Sequence, residues 1–157
     1  MDVTRSAYQD QDSPLTLREG LDEYYRDNPK VTPPDEASDE GARFFASHDV
    51  AHVVFGTNTQ ILDETITDLW QIFGLDISAW EYARQGAAAP EVREVFRELG
   101  LRGLAKGLAL LPRYVGEIWR RTRRMHKPWP WTEFGEYLDR PLAEIRAEFG
   151  IEVLPAS

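Results

Sequence analysis

Two of the three histidines in this chain lie within residues 47–64, and their spacing favours a metal site. His48 and His52 are four residues apart and Asp49 follows the first, so on a helix of about 100° per residue the three side chains share one face. Two imidazoles one turn apart are a common arrangement for a divalent metal, because successive turns bring their ring nitrogens to one point. The chain has no cysteine, so His, Asp or Glu must supply the ligands.

Glu64 is a further ligand candidate, but it reaches the histidines only if the chain turns between them. Gly56 and the polar residues 57–59 predict such a turn between two antiparallel helices. In that hairpin His52 lies about 6 Å and Glu64 about 7.5 Å from the turn, so the carboxylate faces the imidazoles. On one unbroken helix Glu64 would lie about 24 Å from His48 along the axis.

Other interpretations of these residues stay open. The histidines could be a partly buried pair that hydrogen-bonds to Asp49 or Glu64, and Asp49 could orient an imidazole instead of binding the metal. The motif differs from the HExxH sequence of zincins, since its second residue is Asp. HD-type phosphohydrolases need a further, separate histidine, and only His126 is available, within the basic sequence RRMHKP.

Breaks at Pro, Gly and Asn divide the chain into the helices that must position this site. The first has Ser13 as its cap and Pro14 in its first turn. Predicted helices cover about 15–27, 42–55, 60–74, a short stretch after the capping box at 78–81, 90–99 before Gly100, 101–125 with a bend or split at Pro112, and a last segment after Pro141. No segment alternates strictly, so the predicted fold is all-α, a single-domain helical fold. Residues 1–38 are interpreted as a loose amino-terminal helix and acidic linker, and 39–157 as the helical domain.

The charge is unevenly distributed along a chain whose net charge is -9. The basic segment, Arg102 to Trp131, has eight basic residues and one acidic residue, Glu117, whereas the rest of the chain has ten basic and 26 acidic residues. This asymmetry indicates an anionic partner for one face. The alternative is a solvated helical face that pairs with the protein's own acids.

An apolar stripe and tryptophans accompany these arginines, which is typical of a segment at a membrane surface. The residues expected to contact lipid head groups are Arg113, Arg120, Arg121, Arg123, Arg124 and Trp119, with Trp129 and Trp131 as further interfacial aromatics. Gly103 and Gly107 permit close approach of a helix or a prenyl chain. No known nucleic-acid-binding pattern occurs and the overall charge is negative, so no nucleic-acid partner is expected.

The segment His48-Asp49-x-x-His52, followed by eleven residues and Glu64, resembles the HDxxH-x11-E signature of the Coq-four family of ubiquinone (coenzyme Q) biosynthesis proteins. The apolar ending before Gly56 and the sequence TNTQILDE agree in kind, and PLAEIRAEFGI is similar to the family's closing PLxxLRxxLGI. The resemblance covers about residues 40–151. The chain is shorter than eukaryotic members and starts without an import sequence, so a short bacterial-type member is expected.

The resemblance implies Zn2+ or another divalent metal at a combined metal and catalytic site of His48, Asp49, His52 and Glu64, beside an apolar lipid cavity. It implies oxidative decarboxylation at ring carbon C1 of a polyprenylated quinone precursor. Implied partners are that precursor or another prenyl lipid, an anionic membrane surface and other quinone-biosynthesis proteins, with a homodimer as one assembly. A cytoplasmic, peripherally membrane-associated location is expected. The alternatives are a non-catalytic lipid-binding scaffold with a structural metal and, less favoured, a metal-dependent hydrolase.

Overall fold

The helices begin and end close to the predicted interruptions of the sequence. The computed structural model describes residues 5–31 and 39–155, and within these ranges the chain forms helices and no β-strand. The α-helices there are α1 (Leu17–Asp27), α2 (Asp39–Phe55), α3 (Ile61–Gly74), α4 (Ala79–Ala88), α5 (Pro90–Thr122) and α6 (Leu142–Phe149), and short 3-10 helices form at Ala7–Gln9 and Gly135–Tyr137. The all-α prediction is confirmed for the described residues.

Helix α1 starts later than predicted, because its cap is Thr16 and not Ser13. Thr16 Oγ1 accepts the backbone N–H of Glu19 at 3.2 Å, and the Glu19 carboxylate accepts the N–H of Thr16 at 2.8 Å, which completes a capping box. The carbonyl of Ser13 accepts a hydrogen bond from Ala143 in α6 instead of from its own helix. Tertiary pairing with α6 therefore displaces the start of α1.

The amino-terminal segment belongs to the same core as the rest of the protein. Tyr8, Leu17 and Tyr24 are at most 1% exposed and lie in one apolar cluster with residues of α2, α3 and α6. The expected loose amino-terminal end is thus wrong for these residues. Most of the predicted acidic linker, residues 32–38, lies outside the described residues, and so does the boundary at residue 38, which stays a prediction.

Helices α2 and α3 form the predicted hairpin, and Gly56 makes its turn. Gly56 adopts φ 71°, the left-handed conformation that ends many helices. The N–H of Thr57 donates to the carbonyl of His52 at 2.9 Å, and the N–H of Gly56 donates to that of Val53 at 3.3 Å. These two bonds form a Schellman motif, which folds Thr57 back over the last turn of α2.

Helix α5 is interrupted at Gly100, as the sequence predicts, but it does not bend or split at Pro112. Gly100 has φ 61° and ψ 179° and separates the two parts of α5, whereas Pro112 lies in a part with helical dihedral angles. The close approach expected at Gly107 is ordinary helix packing, since a Cβ atom there would lie 3.4 Å from Thr65 Oγ1 of α3. Helix α5 thereby packs against the helix that carries Glu64.

Arg146 of α6 holds the end of α2 in place. Its side chain is fully buried, and its guanidinium donates to the carbonyls of Val54 at 2.9 Å, Val53 at 2.8 Å and Tyr8 at 2.6 Å. Burial lowers the pKa of Arg146 to about 10, so the group remains charged at neutral pH. A buried cation at the carboxyl end of α2 satisfies carbonyls that the helix itself leaves unpaired.

Candidate metal centre

Three of the four predicted ligands converge in the hairpin. Nε2 of His48 and Nε2 of His52 lie 3.1 Å apart, and Oε2 of Glu64 lies 3.5 and 3.4 Å from them. The donor atoms of these three residues all lie within 4.8 Å of one another, close enough to share one metal ion. We call this set the His-His-Glu group. The turn at Gly56 brings Glu64 to the histidines, as the sequence predicts.

Asp49, the fourth predicted ligand, is not part of this group. Its carboxylate faces α1, where it accepts a hydrogen bond from the Tyr25 hydroxyl at 2.9 Å and a longer one from the Tyr24 hydroxyl at 3.4 Å. The Asp49 side chain is buried, and burial raises its pKa. The adjacent sequence position of Asp49 and His48 thus separates two roles: the histidine points into the hairpin, and the aspartate anchors α1 to α2.

His48 is held by contacts from α3 and from its own helix, α2. Its Nδ1 lies 3.0–3.2 Å from the side-chain amide of Gln71 in α3, so its Nε2 faces the group. The ring of Phe44 stacks on the imidazole with centroids 5.6 Å apart. Phe44 in turn contacts Tyr82 and Trp131, which form an aromatic wall on that side. Gln71 therefore holds the edge of the His48 ring, and Phe44 covers one of its faces.

His52 is completely buried, with contacts to one face of its ring and to both ring nitrogens. The ring of Tyr24 stacks on it at 5.3 Å, with an interplanar angle of 23°. Its Nδ1 lies 3.1 Å from Thr57 Oγ1 and 3.2 Å from Thr67 Oγ1. Its Nε2 points to His48 and Glu64. Of the three group members, Glu64 is the most exposed, with 40% of its side chain accessible, so the group opens to solvent on that side.

Negative charge exceeds positive charge around the two imidazoles. In the described part of the chain no Lys or Arg forms an ion pair with Asp49, Asp63, Glu64 or Asp68. Burial works against charge on His48, but Glu64, Asp68 and Asp49 outweigh it and raise the pKa of His48 to about 9. Burial likewise opposes charge on Glu64, but the two histidines lower its pKa well below the usual range. Such a site favours a cation.

The predicted apolar lipid cavity is not shown by this structure. A cavity of about 400 Å³ lies at the carboxyl ends of α3 and α5, between Phe73 and Trp119, with Arg123 and His126 also in its lining. No member of the His-His-Glu group lines it. A lipid cavity beside the group stays a prediction.

The basic segment divides into paired and unpaired residues. Arg120 and Arg121 form ion pairs with Glu117, Arg124 pairs with Glu152 and Lys127 pairs with Glu148. Within the described residues no ion pair involves Arg113, which lies 5.3 Å from the ring centroid of Tyr114, or Arg123. The interpretation of a helical face that pairs with the protein's own acids therefore holds for the paired residues, whereas an anionic partner for Arg113 and Arg123 stays a prediction.

The tryptophans of this segment also differ from one another. Trp119 is 54% exposed, as expected for a residue at a surface. Trp129 and Trp131 are 1% and 4% exposed, because their rings pack with Phe149 and Phe44 in the core. The interfacial assignment of Trp129 and Trp131 is wrong. In the part of the chain that is described, none of the helices combines the length and apolar character needed to cross a bilayer.

Thr67 and Gln71, which contact His52 and His48, are not among the residues predicted for the site, although their spacing from Glu64 indicates them. Glu64, Thr67 and Gln71 have the i, i+3, i+7 spacing of one helix face. If Glu64 faces the histidines, Thr67 and Gln71 therefore face them too. Tyr24 and Tyr25 had no such signal, because only the packing of α1 on α2 brings them to Asp49.

No protein-family model, curated protein or solved structure matches this chain.

Proposed function

We propose that this chain is a metal-dependent, prenyl-lipid-handling protein of quinone biosynthesis, in which the His-His-Glu group binds a divalent metal. The observation that carries the proposal is the convergence of two Nε2 atoms and one carboxylate oxygen within 4.8 Å. The surrounding carboxylates add to it, because Asp49, Asp63 and Asp68 lie near the imidazoles and form no ion pair with Lys or Arg among the described residues. A divalent cation would offset this charge.

The donor set supports a catalytic metal over a structural one. Structural zinc sites are usually closed by four protein ligands, whereas catalytic sites have three protein ligands and leave a position for water or substrate. The His-His-Glu group offers three, and Asp49 is bound to tyrosine hydroxyls instead. The partly exposed Glu64 marks the side from which a substrate approaches.

The HDxxH-x11-E resemblance supports the choice of reaction, which is oxidative decarboxylation at C1 of a polyprenylated ring acid. A bound divalent ion would stabilise the negative charge that develops on the ring oxygens. Zinc has no redox chemistry, so the oxidation requires O2 together with the substrate's own redox activity or a redox-active metal in place of zinc. Gln71 orients the ring of His48 at this site. Thr57 and Thr67 orient the ring of His52.

The metal is tested by measuring divalent metal content in the purified protein after dialysis and reloading. We expect about one ion per chain in the wild type, and loss of the ion in His52→Ala and Glu64→Gln. The matched control is His126→Ala, which removes the third histidine at an exposed position outside the group. Because His52 is buried, thermal unfolding of each variant is recorded alongside. A stoichiometric ion in a folded Glu64→Gln variant would contradict the site.

The substrate class is tested by native extraction and mass spectrometry of lipids that co-purify with the protein. A prenylated ring acid supports the decarboxylase proposal. A prenyl phosphate or a phospholipid supports a carrier or scaffold, and a protein with metal but no apolar ligand supports the hydrolase alternative.

A further inference from the structure

We propose that Thr57 and Thr67 form a positioning pair that holds His52 in the tautomer with hydrogen on Nδ1, so that the lone pair of Nε2 faces His48 and Glu64. The effect of this tautomer on metal binding rests on the proposed function. The tautomer itself can be measured without any metal.

The backbone carbonyl of Asp63 determines which atoms donate and which accept in the hydrogen bonds among Thr67, Thr57 and His52. The Thr67 hydroxyl lies 2.8 Å from the carbonyl oxygen of Asp63, one helical turn earlier, and a carbonyl oxygen can only accept. The single hydroxyl hydrogen of Thr67 is therefore committed to Asp63. Towards its other neighbours, Thr67 Oγ1 acts as an acceptor.

The commitment of Thr67 decides the role of Thr57. The two hydroxyl oxygens are 2.5 Å apart, so the hydrogen between them belongs to Thr57, which donates to Thr67. Thr57 Oγ1 is then an acceptor towards His52 Nδ1 at 3.1 Å, and Thr67 Oγ1 accepts at 3.2 Å. Two acceptors around Nδ1 require a hydrogen on that nitrogen.

The geometry is difficult to rearrange, because each member is fixed by its backbone. The Schellman turn after α2 sets Thr57, whose N–H donates to His52 and whose carbonyl accepts from the Tyr8 hydroxyl at 2.9 Å. Thr67 is in the middle of α3 and is fully buried. The opposite tautomer would turn the Thr57 hydroxyl towards Nδ1 and leave Thr67 Oγ1 without its donor in a buried site.

The pair matters for a metal because a histidine ligand binds through an unprotonated nitrogen, and the partner of its other nitrogen selects which one that is. In this protein the two hydroxyls leave Nε2 free to bind. Loss of such a partner typically lowers metal affinity by about 10–100-fold.

The α3 helix offers a matched control. Thr65 lies two residues before Thr67, and its hydroxyl makes the same kind of bond, to the carbonyl of Ile61 at 2.8 Å, but it does not contact His52. Thr67→Val and Thr65→Val are therefore the same substitution in the same helix with the same lost backbone bond. Thr67→Ser restores the hydroxyl.

The first measurement is 15N NMR of the imidazole nitrogens in the metal-free wild type, at a pH where His52 is neutral. We expect protonated Nδ1 and unprotonated Nε2. Protonated Nε2 would overturn the inference, whether or not the protein binds metal, and this test needs no variant to fold.

The second measurement is Zn2+ affinity by competition with a chelator, for variants whose folding is checked by thermal unfolding. We expect Thr67→Val to shift the tautomer equilibrium and to weaken binding about 10–100-fold, and Thr67→Ser and Thr65→Val to stay within about threefold of the wild type. Unchanged tautomer and affinity in folded Thr67→Val would overturn the positioning pair while leaving the metal site intact. A wild type that has the expected tautomer but binds no divalent metal would contradict the proposed function alone.

Discussion

Two neighbouring residues of the HDxxH sequence have different surroundings, since His48 lies in the His-His-Glu group and Asp49 contacts the tyrosines of α1. Side chains at adjacent helix positions point about 100° apart, so His48 can face α3 while Asp49 faces α1. The sequence places both residues near the site, but the choice between ligand and supporting residue depends on the helix that covers each of them.

Replacement of Asp49 tests this separation. We expect Asp49→Asn to retain metal stoichiometry, with an affinity within a few-fold of the wild type, and to lower the free energy of unfolding by about 1–3 kcal/mol because the buried hydrogen bond from Tyr25 is weakened. Metal content and urea unfolding are the measurements. Loss of the metal in a folded Asp49→Asn variant would show that Asp49 is a ligand.

Metal affinity should depend on pH through His48. With a pKa of about 9, the metal-free His48 carries a proton at neutral pH, and this proton must leave before Nε2 can bind metal. Lowering the pH below 9 therefore weakens binding by about tenfold per unit, whereas the lowered pKa of Glu64 adds no proton competition. Chelator competition between pH 7 and 9 measures the slope, and a flat profile would show that His48 is already neutral.

At the scale of elements, the α2–α3 turn does more than reverse the chain. The left-handed Gly56 positions Thr57 over His52 and lets α3 return with Glu64 at the same depth. Sequence reasoning predicts this hairpin because a Gly followed by polar residues ends a helix. The start of α1 also has a local signal, the Thr16-x-x-Glu19 capping box, but the cap predicted from Ser13 and Pro14 does not use it, and the Ser13 carbonyl instead accepts a tertiary hydrogen bond from α6.

A substitution at the turn tests this role. In Gly56→Ala the new Cβ would require a strained φ and would meet Val153 Cγ1 at 3.1 Å. We expect a loss of about 1–3 kcal/mol in the free energy of unfolding, together with weaker metal binding as Thr57 shifts. Gly135→Ala is the control, because nothing lies within 4 Å of its Cβ position. Wild-type metal affinity in Gly56→Ala would show that the conformation of the turn does not affect metal binding.

At the scale of the whole molecule, one buried cation connects distant segments to the site. Arg146 belongs to the closing PLAEIRAEFGI sequence, and its guanidinium joins α6, the end of α2 and the amino-terminal segment. We expect Arg146→Met to lower the free energy of unfolding by about 3 kcal/mol or more, because several buried carbonyls lose their donor. Arg140→Met, which breaks an ion pair with Glu148 that is partly exposed, should cost less than about 1 kcal/mol. Equal effects in urea unfolding would contradict this assignment.

The proposed membrane contact is also a property of the molecule's surface. Leu101, Leu108 and Trp119 are 88%, 61% and 54% exposed and fall within about 20° of one line along α5. Arg113 in α5 and Arg123 at its carboxyl end form no ion pair within the described residues. Exposed apolar residues together with such cations are typical of an interfacial helix, which supports the proposal of a contact with anionic lipid.

Liposome binding tests this contact. We expect the double variant Arg113→Ser/Arg123→Ser to bind anionic vesicles about tenfold or more weakly, at about 1 kcal/mol per charge, and binding to fall in high salt. Arg18→Ser removes an exposed arginine from α1 and serves as the control. Arg121 is left intact, since its guanidinium holds the carbonyls of residues 152 and 153. Binding that is insensitive to both salt and the double variant would remove the membrane proposal.

Helix periodicity and a glycine turn are local properties, so the sequence is enough to predict the all-α fold, the hairpin and the approach of Glu64 to His48 and His52. The surroundings of each of these residues depend instead on tertiary packing. Asp49 meets two tyrosines, Trp129 and Trp131 enter the core, and four of the basic residues pair with the protein's own acids. These outcomes depend on which distant helix covers a given face, and sequence spacing specifies only the face.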